Sequence, residues 1–495
     1  MSELFVKSSS MTLTENGAVT YNTSFDKCLD FFAVVGALKN EEEGEEAGER
    51  AISLFKEAFN EDPVLALRIL LYSRDIRNGG LGVRRVLKEV VKQLPELAAA
   101  KGLKLNKDAL YDSIVEFGSW RDLFEDFQLA EIGKYVSEKM KAHIREGKYD
   151  LLEKWAPSIG GRKNKQAEYL AKLCELTPRQ YRKHLSTARA QLKIVERDMC
   201  ANRWDSINYS SVPSKAGLLY SDAFSKHDRE RYRQFISDAT EGKAHINTSA
   251  IYPYEIVKRY WCKYSEDPAL EALWKNLPDY TNSSNENAIV VADTSGSMYG
   301  TPIYVATSLA IYFAERNKGK FHNEFISFSA TPSFISLDDC KTLKEKIRKV
   351  EKTDWGYNTD LIKVFFEILS TGKRFNLPQS EMPRTIYIVS DMEFDEAVSA
   401  GNAGFNSTNY EAIKELYNRA GYDLPAIVFW NVRSHGSNIP VTKDDIGTAL
   451  VSGCSPTVFQ TAVARDINPM KMMYSMLDIC KEWENAANSI LVKTF

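Results

Sequence analysis

Ala288-Ile289-Val290-Val291-Ala292-Asp293-Thr294-Ser295-Gly296-Ser297 carries an apolar run straight into a D-x-S-x-S loop. A segment apolar along its whole length is the mark of a strand buried on both faces of a parallel sheet. Its carboxyl end then delivers one carboxylate and two hydroxyls to a single turn. Oxygen donors of this kind converge on hard divalent cations. Taken alone, the loop is equally an ordinary strand-to-helix turn, with Asp and Ser capping the helix that begins near Ile303.

Two later loops offer the remaining donors. Trp355-Gly356-Tyr357-Asn358-Thr359-Asp360 precedes the helical pattern Leu361, Ile362, Phe365, Phe366, Leu369, which sets Thr359 near a helix start with its hydroxyl free. Asp391 ends the predicted strand Thr385-Ile386-Tyr387-Ile388-Val389-Ser390. Asp293, Ser295, Ser297, Thr359 and Asp391 together give three hydroxyls and two carboxylates, a set suited to Mg²⁺ (or Mn²⁺) and too hard for a typical zinc site. One coordination position would remain for an outside carboxylate or phosphate.

The order D-x-S-x-S, loop Thr, strand-end Asp resembles the metal-ion-dependent adhesion site of von Willebrand factor A domains at all five positions. That resemblance implies a doubly wound, Rossmann-like sheet over residues 285–465. The helix and strand patterns agree with it: strands at 288–293, 323–329, 332–337, 385–391, 424–431 and 447–452, and helices at 302–317, 340–350, 360–371, 409–420 and 456–464. In such sheets ligands sit beyond the carboxyl ends of the strands.

Residues 1–284 follow a different rule. Asn16-Gly17 between Thr12, Leu13, Thr14 and Val19, Thr20, Tyr21 predicts a short hairpin. From Ser24 the pattern is helical, with Phe25, Leu29, Phe32, Val35 and then Ile52, Phe55, Phe59 on shared faces. Further amphipathic segments lie near 81–98, 107–127, 130–146, 149–157, 165–175, 178–200, 213–240 and 250–276. Helices joined by short turns, without strand-like alternation, describe a HEAT-like α-solenoid or a large bundle. Residues 466–495 add one amphipathic helix, 470–488, expected to pack across the helical part or to close the sheet.

The helical part carries Tyr72-Ser73-Arg74-Asp75-Ile76-Arg77-Asn78-Gly79-Gly80, then Gly118-Ser119-Trp120-Arg121-Asp122-Leu123, Lys154-Trp155-Ala156-Pro157-Ser158 and Pro178-Arg179-Gln180-Tyr181-Arg182. These motifs resemble the TROVE module, named for telomerase, Ro and vault proteins. They are more closely similar to a viral, bacterial and plant family that joins such a module to a von Willebrand A domain. The resemblance implies a Ro-like, non-enzymatic RNA-binding protein. In Ro proteins the repeats form a ring closed by the A domain, structured small RNA or misfolded RNA is held on its basic outer face, and single-stranded RNA ends enter the hole.

Charge supports a weaker form of that expectation. The chain of 495 residues has a formal net charge of -3, which excludes a uniformly basic nucleic-acid binder. Yet from Lys154 to Arg203 there are twelve lysines and arginines against four acids. Arg74, Arg77, Arg84 and Arg85 near a Gly-Gly turn would meet phosphates, and Lys163, Lys165, Arg179, Arg182 and Lys183 would add a second strip. Trp155, Tyr169, Tyr181 and Trp204 are stacking surfaces if exposed. Charge runs of this kind are also common on solvated helix faces. The runner-up reading is accordingly a metal-dependent interaction scaffold without RNA, whose A domain docks an acidic protein partner.

Other classes find less support. There is no P-loop, dinucleotide fingerprint or G-x-S-x-G elbow, and the six histidines are isolated in sequence. A phosphodiesterase built on Asp293, Asp391 and Glu393 would lack the bridging carboxylate of a two-metal hydrolase. Seven cysteines scattered singly suggest reduced core thiols. The opening residues lack a secretory pattern and no window approaches the roughly 20 apolar residues of a membrane span. The expectation is a cytoplasmic monomer with no membrane partner.

Overall fold

The computed structural model describes residues 10–39, 45–125, 130–281, 287–328, 332–353, 360–395, 408–433, 438–461, 463 and 466–493. It has a helical N-terminal region and a C-terminal mixed sheet.

The chain opens with the hairpin β1 (Met11–Leu13) and β2 (Val19–Tyr21), paired antiparallel around the Asn16-Gly17 turn. Helices follow with local signals that explain their starts. Asp26 and Asp62 cap Lys27–Val35 and Pro63–Arg74, and capping boxes open Leu151–Trp155 (Asp150 with Glu153) and Pro178–Gln191 (Thr177 with Gln180).

Several of the expected amphipathic segments each hold two helices. The 107–127 segment breaks at Gly118 into Lys107–Phe117 and Trp120–Glu125. A side chain at Gly118 would stand 2.6 Å from the Ile114 carbonyl oxygen, so only glycine permits that close turn. The 213–240 segment divides at Asp228, and 250–276 divides before Asp267-Pro268, a cap followed by proline at the first turn. One strand, β3 (Leu103–Leu105), also lies in this region, contrary to the expectation of helices alone.

The six-stranded sheet contains β4 (Ala288–Asp293), β5 (Glu324–Phe328), β6 (Ser333–Ser336), β7 (Thr385–Ser390), β8 (Ala426–Asn431) and β9 (Thr448–Ser452). Its order is β6-β5-β4-β7-β8-β9, parallel throughout except for the antiparallel edge β6. Every residue of β4, β7, β8 and β9 is buried, as strands covered on both faces require. The order reverses between β4 and β7, which opens a crevice at their carboxyl ends.

Helix Thr301–Arg316 packs on β4 and on Pro253–Trp261, joining sheet to helical region. One apolar core runs through both, from Leu29 and Phe55 to Ile289, Val389 and Trp483. A smaller cluster around Tyr209, Phe224 and Tyr232 stands apart from it.

The C-terminal segment differs from the single helix expected. It forms Pro469–Leu477 and Glu482–Ile490, followed by β10 (Leu491–Lys493) paired with β3. The first helix packs on β9 and the second on Pro63–Arg74 and Lys107–Phe117, so the chain end straps sheet to helices. Of the expected helix 456–464, Pro456–Gln460 forms a 3₁₀ turn, and residues 462 and 464 lie outside the described residues. Nor are all the thiols core: Cys28, Cys174, Cys454 and Cys480 are buried, but Cys200 and Cys262 are exposed.

Candidate functional site

Asp293 is the last residue of β4 and Asp391 immediately follows β7, so the reversal of strand order sets them on either side of one crevice. Both are fully buried. The Ser295 amide donates to Asp293 Oδ1 at 2.9 Å, and the Ser390 hydroxyl donates to Oδ2 at 2.6 Å. Ser295 Oγ and Ser297 Oγ lie 3.0 Å apart. Asp391 accepts the Glu393 amide on Oδ1 at 3.2 Å, while its buried Oδ2 has no hydrogen-bond partner among the described residues.

A buried carboxylate oxygen without a partner is costly, and a second carboxylate nearby makes it worse. Burial first, and the charge of Asp391 second, push the Asp293 carboxyl up to about 7, against the opposing hydrogen bonds of Ser295 and Ser390. A divalent cation between the two would relieve both the orphaned oxygen and the repulsion. The donors present, two carboxylates and two hydroxyls, fit Mg²⁺ or Mn²⁺. Asp293, Ser295, Ser297 and Asp391 are thus gathered in one crevice; Thr359 and its loop lie outside the described residues.

Residues not anticipated complete the crevice. Ser390 orients Asp293, Arg433 donates to the Ser297 carbonyl, and the N-terminal hairpin reaches across to the segment after Asp391. There the Glu15 amide donates to Glu393 Oε2, Asn16 Nδ2 donates to the Glu393 carbonyl, and Thr14 Oγ1 donates to the Phe394 carbonyl at 2.7 Å. Ser390 sits one position before the strand-end Asp and was legible only as a strand residue. Contacts spanning nearly the whole chain leave no local signal.

The basic residues divide into two groups. Arg74 is buried and gives two hydrogen bonds to Asp122 Oδ2, at 2.9 and 2.7 Å, while Arg84 bonds Oδ1 of the same carboxylate. Arg77 is exposed but donates to the Glu116 carbonyl, and Arg85 lies against Gly48. The glycine-rich turn is given to packing. Tyr252 and Thr457 donate to the carbonyls of Gly80 and Gly79, and the Trp483 indole donates to Asp75. The Arg77 and Asn78 amides donate to Asp75 Oδ1 and those of Leu81 and Gly82 to backbone carbonyls, and Arg74 and Arg84 are held by Asp122, so the expectation of Arg74 as a surface phosphate contact is corrected to a buried ion pair.

The second group is a surface. Lys163 and Lys165 flank the start of helix Asn164–Leu173, and Arg179, Arg182 and Lys183 lie on Pro178–Gln191. All five are exposed, and among the described residues no ion-pair partner engages them. A cavity of about 460 Å³ opens at the far end of Pro178–Gln191, where Lys154, Arg189, Lys193, Arg197 and Arg203 join Asp198 and apolar residues in its lining; Lys154 pairs with Glu196 and Arg203 with Asp198. Of the aromatic residues, Trp155 and Tyr169 are partly exposed, Trp204 stacks on His227, and Tyr181 is fully buried with its hydroxyl on the Pro157 carbonyl. Tyr181 is thus removed from the stacking candidates.

Comparison with known proteins gives three matches. Residues 14–168 and 160–293 match a family described as a domain of unknown function (DUF2828). Residues 287–479 match a second such domain (DUF7788). The chain is also similar to "Uncharacterized protein L728" of Acanthamoeba polyphaga mimivirus, at 29% identity over 520 residues covering 94% of this chain and 87% of that protein.

Proposed function

Since the chain belongs to the DUF2828 family, whose name carries no activity, we propose a function from its surfaces: a non-enzymatic, Ro-like RNA-binding protein. In this reading the helical region is a TROVE-like, HEAT-like arc, and the mixed sheet is a von Willebrand A-like unit with a Mg²⁺ site.

The observation that carries the proposal is the set of exposed cations Lys163, Lys165, Arg179, Arg182 and Lys183 on two helices, the second of which also sends Arg189 to the lining of a cavity. Unpaired cations on adjacent helices are the footprint that phosphate backbones select. Trp155, whose ring meets the Lys154 and Arg121 cations, and Tyr169 are the partly exposed aromatic residues of this region against which unpaired bases would stack. Because Asp293 lies in the sheet, the metal and the RNA surface are separate devices.

The experiment is RNA binding by the full chain and by two charge reversals, Lys163→Glu/Lys165→Glu and Arg179→Glu/Arg182→Glu. Each is expected to weaken binding without lowering the melting temperature, since the side chains are exposed. Wild-type protein that binds neither structured nor single-stranded RNA at low salt overturns the proposal.

A second reading rests on the orphaned Asp391 Oδ2: a cation held there with an open position would dock a partner's acidic side chain. RNA-independent, Mg²⁺-dependent capture of a carboxylate-bearing peptide, abolished by Asp293→Ala, would favour it.

A further inference from the structure

Away from the sheet, three helices bring together residues that are far apart in sequence. Helix Ala130–Glu146 supplies His143, Asp150 and Glu153 open Leu151–Trp155, and Pro178–Gln191 supplies His184. The His143 Nδ1 lies 2.9 Å from Glu153 Oε1, and His143 Nε2 lies 3.9 Å from Asp150 Oδ2. His184 Nε2 lies 3.5 Å from the same Glu153 oxygen.

Each carboxylate divides its work. Asp150 uses Oδ1 to cap the Leu152 amide, and Glu153 uses Oε2 to accept the Asp150 amide. Their other oxygens face the imidazoles. Glu153 is fully buried, and His184, with a side chain only 8% exposed, has a buried Nε2 without a hydrogen-bond partner among the described residues. A capping box explains why these acids open the helix; it does not explain a buried imidazole nitrogen held 3.5 Å from a buried carboxylate oxygen, without a well-formed hydrogen bond, beside a second imidazole on the same oxygen.

A tetrahedral dication with bonds of about 2.0–2.1 Å holds its ligands roughly 3.3 Å apart. The two separations that share Glu153 Oε1, 2.9 Å to His143 Nδ1 and 3.5 Å to His184 Nε2, bracket that value, and one ligand atom from each of His143, Asp150 and Glu153 lies within 4.8 Å of the others. Two imidazoles with two carboxylates suit a borderline cation rather than Mg²⁺. Asp150, half exposed, leaves an entry path from solvent.

We propose that His143, Asp150, Glu153 and His184 form a second cation site, of the Zn²⁺ class, that ties three helices together beneath the basic strip. One ring nitrogen of His143, Nε2 of His184, Oε1 of Glu153 and Oδ2 of Asp150 are its donors. The site is independent of the Asp293 crevice and of RNA binding.

The test is Co²⁺ titration of chelator-treated full-length protein, read by visible absorption. The site predicts a tetrahedral Co²⁺ band saturating at one equivalent, displaced by Zn²⁺ and unchanged in Asp293→Ala. His184→Gln and Asp150→Asn should each weaken binding by at least about tenfold, given that even supporting partners of metal ligands contribute 10- to 100-fold. Asp150→Asn keeps a helix cap, so it remains decisive if His184→Gln folds poorly. Absence of the band in wild type, or a band of equal affinity in folded Asp150→Asn, overturns the proposal.

Discussion

The amide of Glu15 donates to Oε2 of Glu393 at 2.8 Å, across a separation of 378 residues. Glu393 also accepts Asn438 Nδ2 on Oε1, so its carboxylate ties the N-terminal hairpin and the segment after β8 to the strand end that bears Asp391. The hairpin is docked on the segment that follows Asp391.

Thr14 is the hairpin residue most committed to this contact. Its hydroxyl donates to the Phe394 carbonyl and accepts the Ala18 amide at 2.9 Å. Thr14→Val keeps the shape and strands both buried groups, at a cost of about 1–3 kcal/mol. The expected result in chemical denaturation is a lower midpoint, with Mg²⁺ stabilisation weakened as well. An unchanged midpoint would mean that the hairpin docks without energetic consequence.

Asp122 faces two guanidiniums in a nearly closed site, with 8% of its side chain exposed. Removing one member of a buried ion pair leaves the rest uncompensated, typically at about 3–5 kcal/mol. Arg74→Ala and Asp122→Ala are both expected to lower stability by that order. At temperatures where the variants stay folded, RNA affinity should match wild type; a selective loss of RNA binding in stable Arg74→Ala would return Arg74 to the interface.

Gly80 has no room for a side chain. A Cβ there would stand 2.2 Å from the Tyr72 carbonyl oxygen and 2.5 Å from that of Asp75. Both neighbours are backbone and cannot swing aside. Gly80→Ala should therefore cost about 3 kcal/mol, the upper range of overpacking penalties, and appear as a large drop in melting temperature.

Asp293 sets a pH dependence. Its carboxyl titrates near 7 in the fold, raised by burial and by Asp391, against roughly 3.9 in an unfolded chain. Between those values the native state retains a proton that the unfolded state has released, so cation-free protein loses stability as pH rises through that window. In the proposed site Mg²⁺ would take the place of that proton, so that its stabilising effect should grow from pH ~5 to pH ~7. Thermal melts with and without Mg²⁺ that run parallel over this range would count against the cation.

Much of the fold was legible because the rules that carry it are local. The hairpin followed from Asn16-Gly17, and β4, β7 and helix Asn409–Ala420 fell within a residue of their expected ends. Where the outcome differed, a distant partner decided it. Ser455 and Thr457 bond each other, and Thr457 reaches Gly79, holding Pro456–Gln460 to a 3₁₀ turn. The last helix breaks at Asp478, which pairs with Arg68 on another helix. Arg74 read as a surface cation because its Asp122 partner lies 48 positions away. The donors of the sheet crevice were visible since a short motif holds three of them. The His143–His184 cluster was not: its ligands have no common spacing, and Glu153 already has a local reason to be where it is.

The most direct measurement is fluorescence anisotropy of labelled RNA titrated with the full chain at about 50 and 200 mM salt. Five phosphate-contacting cations imply a slope near −3.5 in log affinity against log salt for a single strand, an approximately 100-fold loss between the two conditions. The account predicts that loss, and a visibly shallower slope for Lys163→Glu/Lys165→Glu. Affinity insensitive to salt, or a slope that the double reversal leaves unchanged, would contradict it.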